Sequence, residues 1–219
     1  MHEESARSHM SRLQRIALAL TVAVFAITWI DPPWPVEQAL HSSLTVVGLL
    51  WLVRHHRRWP LRDADFLAIC GFIVVHSIAG RWLYSNLPYD RWCIDLFGWS
   101  PQSAFGWERN HTDRLIHFLY GLCFMPALQW HAQQRWPLRW GYAFAIAFAL
   151  ILISGLVYEW LEWGVALAMS PEAAEAYNGQ QGDIWDAHMD QLLAAIGALL
   201  TWPWLRRRAL AFSSAARDG

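Results

Sequence analysis

The sequence contains no lysine; all 17 of its basic side chains other than histidine are arginine. Charge of either sign is scarce, at 16% of residues, where soluble domains carry about 25%. A nucleic-acid-binding surface needs basic residues clustered on a solvated domain. No segment here is long enough to be one, so nucleic acid is excluded as a partner. Cysteine is sparse too: Cys70, Cys93 and Cys123 show no CxxC or other paired spacing, so neither a disulfide framework nor a zinc ribbon is encoded. P-loop, dinucleotide and nucleophile motifs are absent. There is no internal repeat of the kind that marks inverted-repeat transporters.

Apolar side chains dominate instead. They make up 55% of the chain, with 16 tryptophans and a mean hydropathy of +0.17. The longest block starts at Trp140 and meets no charge before Glu159; about 20 such residues cross the hydrocarbon core of a bilayer. Apolar segments at roughly 13–30, 37–53, 64–84, 113–131, 139–162 and 184–204 predict an all-α, polytopic membrane bundle of about six transmembrane helices. The breaks are marked by Pro32, Pro33 and Pro35, by the run Arg54 to Pro60, and by Arg135-Trp136-Pro137. Residues 13–205 form one helical domain. It lies between a polar tail at 1–12 (with Ser8-His9-Met10 either native or an expression scar) and a basic tail at 206–219. The first apolar stretch ends in Asp31-Pro32-Pro33 without a small-residue cleavage pattern, which reads as a retained helix rather than a signal peptide.

Arginine placement predicts orientation, because basic residues in short loops stay on the cytoplasmic side. Arg7, Arg12, Arg15, Arg54, Arg57, Arg58, Arg62, Arg135, Arg139, Arg206, Arg207, Arg208 and Arg217 fall at one set of helix ends. Only Arg81, Arg91, Arg109 and Arg114 fall at the other. Both termini are therefore expected in the cytoplasm. Outward loops at roughly 85–112 and 163–183 follow, the first rich in tryptophan suited to the membrane interface.

Three segments bring ionisable residues to the outward end. The fourth begins Asp113-Arg114-Leu115-Ile116-His117, placing Asp113 and His117 on one helix face. The fifth ends with Glu159 and Glu162, three apart. The sixth begins with Asp183, Asp186 and Asp190, a single stripe. Ionisable residues inside a membrane cost about 2.5–3.5 kcal/mol each on insertion scales, so they face the bundle interior and pair or bind something. Arg81 and Arg114 are too few to balance six carboxylates. A divalent metal held by Asp113, His117, Asp183, Asp186 and Asp190 balances them, and oxygen ligands with imidazole suit Mg, Mn, Fe or Zn. For Asp113 and Asp183, capping of a helix N-terminus is an equal explanation. Asp186 and Asp190 lie beyond that reach. His117 alone would read as a core histidine.

These residues resemble the YjdF-type inner-membrane proteins of bacteria. The likeness rests on Asp113-Arg114-Leu115-Ile116-His117-Phe118, on Glu162-Trp163, and on Gln181-Gly182-Asp183-Ile184-Trp185-Asp186-Ala187-His188-Met189-Asp190. It covers roughly 60–205, with Gln191 where the pattern has Met. A more distant likeness, to VanZ-like membrane proteins linked to glycopeptide-antibiotic resistance, rests on the Asp-x-x-x-His start of one helix and the later acids. The resemblance implies a bacterial inner-membrane location and supports the site residues without naming a reaction.

The leading expectation is a metal-dependent hydrolase or transferase acting on a membrane lipid or lipid-linked substrate. In it Glu159 or Glu162 is the catalytic base, and Arg81 or Arg114 binds an anionic headgroup. A cation- or proton-coupled carrier and a structural scaffold are the alternatives.

Overall fold

Each apolar run folds as helix, since a hydrocarbon medium offers the backbone no water and a helix satisfies its N–H and C=O groups internally. The computed structural model describes residues 9–136 and 138–215, and no strand occurs among them. Arg7, Ser8, Pro137 and Arg217, named above, lie outside the described residues. In chain order the helices are α1 (Arg12–Ile27), α2 (Pro35–Arg58), α3 (Asp63–Gly80), α4 (Tyr89–Phe97), α5 (Pro101–Phe105), α6 (Thr112–Arg135), α7 (Trp140–Ala166), α8 (Pro171–Asn178), α9 (Asp186–Leu200) and α10 (Trp202–Ala215).

Local chemistry sets their ends. Ser11 and Gln14 form a capping box that starts α1. Pro35 opens α2 at a position where its missing N–H costs nothing. Ser100 and Ser170 cap α5 and α8. Gly98, Gly106 and Gly179 end α4, α5 and α8 in the left-handed conformation.

Three helices, α2, α3 and α7, are both long and apolar enough to cross a membrane. The other three expected spans fall short for separate reasons. With 16 and 15 residues, α1 and α9 extend about 24 and 22 Å at ~1.5 Å per residue, under the ~30 Å hydrocarbon core. The sixth apolar segment is broken at Thr201, and α10 continues beyond it with Pro203 in its first turn. The 24 residues of α6 suffice in length, but Asp113, His117 and Gln129 are buried along it. That polarity is affordable because α6 is the central helix, packed against α3, α7 and α9, so little of it needs to suit lipid. Within the expected basic tail, Arg206 to Ala215 is helical, and Arg208 grips the fully buried Asp65 of α3 through two bonds of 2.9 and 2.8 Å.

α1 and α2 lean on α3, whose Phe66, Ile69, Cys70 and Ile73 form one core cluster with Leu52 and Ala127. A second cluster joins Met125, Phe144, Ala147, Ile151, Ala194 and Ala198 from α6, α7 and α9. The closest approach is between α6 and α9. A Cβ on Gly121 would run into the Ala194 carbonyl, and one on Gly197 into the Phe118 carbonyl. Two glycines facing opposite backbones let these helices touch main chain to main chain.

Candidate metal centre

That contact sets Asp190 of α9 beside Asp113 and His117 of α6. All three are buried, Asp190 with only 2% of its surface exposed. One ligand atom from each lies within 4.8 Å of the other two. The Nε2 atom of His117 is 3.8 Å from Asp113 Oδ1 and 3.6 Å from Oε1 of Glu159, which α7 contributes from a third side. Donors bound at about 2.0–2.2 Å to one ion sit at most about 4.4 Å apart. Asp113 and His117 meet that spacing, and Asp190 offers an oxygen within 4.8 Å of both.

Charge around this group is unbalanced. No arginine lies within salt-bridge range of Asp113, Asp190 or Glu159 among the described residues. Asp190 Oδ1 and Glu159 Oε1 are buried with no hydrogen-bond partner there. Buried polar atoms in native proteins are nearly always satisfied, and an exception calls for an unseen ion, water or proton. Glu162, one turn beyond Glu159, is buried within electrostatic reach of Asp113.

The arginines serve a neighbouring clamp. Arg109 lies 3.2 Å from Asp183 and 2.7 Å from Asp186, while Arg114 binds Asp183 and stands 3.6 Å from Asp186. The 2.7 Å contact is an ion pair angled off hydrogen-bond geometry, since Asp186 Oδ1 has no hydrogen-bond partner. Asp183 also accepts the Trp185 N–H at 2.9 Å. That bond, together with the two guanidiniums, holds its carboxyl below the usual carboxylate range. Gln181 completes the clamp: its Oε1 accepts the Asn110 N–H at 2.8 Å and its Nε2 donates to the Asn110 carbonyl at 3.1 Å. The motif from Gln181 to Asp190 is thus divided. Its first half pins the segment before α9 to the start of α6, and only Asp190 reaches the buried trio.

The expected five-ligand set therefore separates. Asp113, His117 and Asp190 come together, whereas Asp183 and Asp186 are neutralised by arginine. The expected headgroup arginines are otherwise engaged. Arg114 belongs to the clamp, and Arg81 donates to the carbonyls of Thr28, Ile30 and Asp31 at 2.7, 2.8 and 2.9 Å, closing the turn between α1 and α2. Arg109, read from the sequence only as an outward-end arginine, proves the main partner of Asp186.

A shell of tyrosine and histidine surrounds this centre, of which the sequence pointed only weakly to His76. His76 bonds Thr45 at 3.1 Å and Tyr84 at 2.8 Å. Tyr84 bonds Tyr158, which stands 3.4 Å from His41. Tyr177 of α8 stacks on His41 at 4.5 Å, and burial, with Glu162 nearby, pushes its phenol up to about 12. Leu83 and Tyr84 adopt positive φ of 48° and 54°, an uncommon conformation for bulky residues that concentrates at functional sites. It turns the Tyr84 ring inward. Tyr158 carried one readable signal, because it stands four residues before Glu162 on the same helix face; Tyr84 and Tyr177 had none.

Below the trio, a cavity of about 680 Å³ runs between α2 and α7 over a floor of α3 and α6. Asp113, His117, His76, Tyr84 and Tyr158 line its polar end, and Leu44, Val47, Phe72, Phe124, Leu128 and Ile153 its apolar length.

Together these features define a class: a helical membrane protein with a buried carboxylate–imidazole centre opening onto an apolar groove. Residues 13–210 match the family described as "Predicted membrane protein (DUF2238)". The chain is also similar to the inner membrane protein YjdF of Escherichia coli (strain K12), 31% identical over 202 residues that cover 89% of each chain. The chain belongs to this YjdF-type family, and it is a multi-pass protein of the bacterial inner membrane. No solved structure matches it.

Proposed function

We propose that the chain is a metal-dependent membrane enzyme, a hydrolase or transferase acting on a lipid or lipid-linked substrate at the periplasmic face. Six transmembrane helices with both termini in the cytoplasm fit the arginine distribution, because Arg54, Arg57, Arg58, Arg62, Arg135, Arg139 and Arg206 to Arg208 share the end away from the acids. The observation that carries the reading is the buried convergence of Asp113, His117 and Asp190 with no arginine within salt-bridge distance of them among the described residues.

Two carboxylates and an imidazole are a suitable donor set for Mg, Mn, Fe or Zn, and their three positions leave room for water or substrate on the ion. Such an ion polarises a phosphoryl or ester oxygen, or lowers the pKa of bound water toward neutrality. Glu159, 3.6 Å from His117, would serve as the general base, with Glu162 one turn behind it. The phenols of Tyr84 and Tyr158, engaged with His76 and His41, line the same end of the groove. A carrier would need a polar path from this centre to the arginine-rich end, whereas the groove leaving it is apolar; that favours lipid chemistry. A scaffold explains the clamp but not the unpartnered Asp190 oxygen.

The test is elemental analysis of the purified protein with a lipid-turnover assay. Wild type should hold one divalent ion per chain, and Asp113→Asn, His117→Ala and Asp190→Asn should each lose it together with turnover. A wild-type protein without stoichiometric metal, and variants that turn over lipid normally, would reject the proposal.

A further inference from the structure

We infer that the groove between α2 and α7 seats one hydrocarbon chain of a membrane lipid, admitted sideways from the bilayer, with the bond to be attacked held at its Asp113–His117 end. The inference rests on the reading of that end as a reaction centre and specifies the substrate as an amphiphile with a flexible apolar chain.

The walls are the first argument. α2 packs on α3, and α7 packs on α6, α8 and α9, so the two walls have separate supports and flank an open side. Leu44, Val47 and Trp51 on one wall and Leu150, Ile153, Val157 and Leu161 on the other are exposed at that opening. In a membrane these edges face acyl chains, and no polar barrier separates lipid from the groove.

Dimensions decide the occupant. Along α6 the lining runs from Asp113 to Leu128, about 22 Å at ~1.5 Å per residue. One leaflet of hydrocarbon is about 15 Å deep, half of the ~30 Å core, so a chain of full leaflet length fits. A transmembrane helix does not. A helix about 10 Å across and 30 Å long occupies roughly 2,400 Å³, several times the 680 Å³ present. The volume falls within the ~300–1,000 Å³ of small-molecule sites.

Continuity with the centre is the third argument. Asp113 and His117 belong both to the metal-type trio and to the groove lining. The ionisable groups gather at that end, with His76, Tyr84 and Tyr158 beside them; the remainder is aliphatic, aromatic or glycine apart from Thr45, bonded to His76, and Ser154, bonded to Tyr120 and the Leu150 carbonyl. That is the polarity of a lipid from linkage to chain tip.

Gly48 makes the idea testable without unfolding the bundle. It lines the groove, and a Cβ there would meet nothing within 4 Å. Gly48→Phe therefore fills the groove at little cost to the helix. Gly71 on α3 is exposed, lies outside the lining, and has equally open space, so Gly71→Phe is the matched control. The full chain is reconstituted in phosphatidylethanolamine–phosphatidylglycerol vesicles doped with a phospholipid carrying a diazirine on its acyl chain. After photolysis, adducts are mapped by mass spectrometry and metal is measured on the same samples. Adducts should concentrate on Leu44, Phe72, Phe124 and Ile153 relative to lipid-facing Leu20 and Ile27 of α1, and Gly48→Phe should reduce them at least fivefold while Gly71→Phe does not. Equal labelling of groove and α1, or groove labelling unchanged in Gly48→Phe, overturns the inference. So does a cross-link joining two copies through the groove. Groove labelling in a protein without metal would leave the chain site standing and sink the reaction-centre reading, so the two fail separately.

Discussion

At the arginine-rich end of the bundle, fully buried Asp65 meets Arg208 in a two-point pairing, and Arg62 lies 3.9 Å over the Trp130 ring. At the opposite end Arg109 and Arg114 meet Asp183 and Asp186 in the same spirit, but Asp113, Asp190 and Glu159 are buried with His117 and, among the described residues, no arginine within salt-bridge distance. Matched charges hold helices together; unmatched ones must be neutralised by something that binds. The contrast supports the proposal that Asp65 and the clamp hold the bundle while the trio binds a ligand.

Substitutions separate the two roles. The largest effect on stability is expected for Asp65→Asn, which leaves the Arg208 guanidinium with half its partner: about 3–5 kcal/mol by the usual cost of breaking a buried pair. Thermal unfolding in detergent measures it, and metal content should be unchanged. Arg109→Met should cost less, about 1–3 kcal/mol, because Arg114 keeps Asp183 and only Asp186 loses its main partner; looser anchoring of α9 should also weaken metal binding severalfold. Asp190→Asn inverts the pattern. The metal-free protein should shift by less than about 1 kcal/mol, or about 2–4 °C in Tm, while bound metal falls to background. A large loss of stability in that variant would make Asp190 a structural residue.

The smallest effect is a pH dependence of the clamp. Asp183 is held below its ordinary range in the folded protein, so its contribution is complete above the unfolded value of about 3.9. It is lost as pH falls from there through the lower folded value. Unfolding measured from pH 6 downward should show Arg114→Gln losing this acid sensitivity first. An unchanged acid profile in Arg114→Gln would remove the clamp from the account.

Much of this was legible in the order of residues. The hydrophobic runs located every long helix, and the alternation of arginine-rich and acid-rich ends placed Asp113, His117, Glu159, Glu162 and Asp190 at one level. Spacing along a helix shows which side chains share a face, so Asp183, Asp186 and Asp190 read as one stripe. It does not show where one neighbour stops and the next begins. Arg109 lies three residues before α6, in a loop without periodicity, so its hold on Asp186 was invisible, and Asp186 looked like a ligand. Arg81 sits just past the end of α3, where it donates to three carbonyls of the α1–α2 turn. Tyr84 reaches the site through two left-handed residues that no pattern announces.

The glycine contact between α6 and α9 fixes more than proximity. Helices that touch through their main chains have no side-chain layer to shear, so Gly121 and Gly197 make α6 and α9 a single rigid ruler. The distance from Asp113 and His117 to Asp190 is then a constant of the fold. On the proposed reading, Glu159 is the group of the centre that comes from outside that unit, carried by α7.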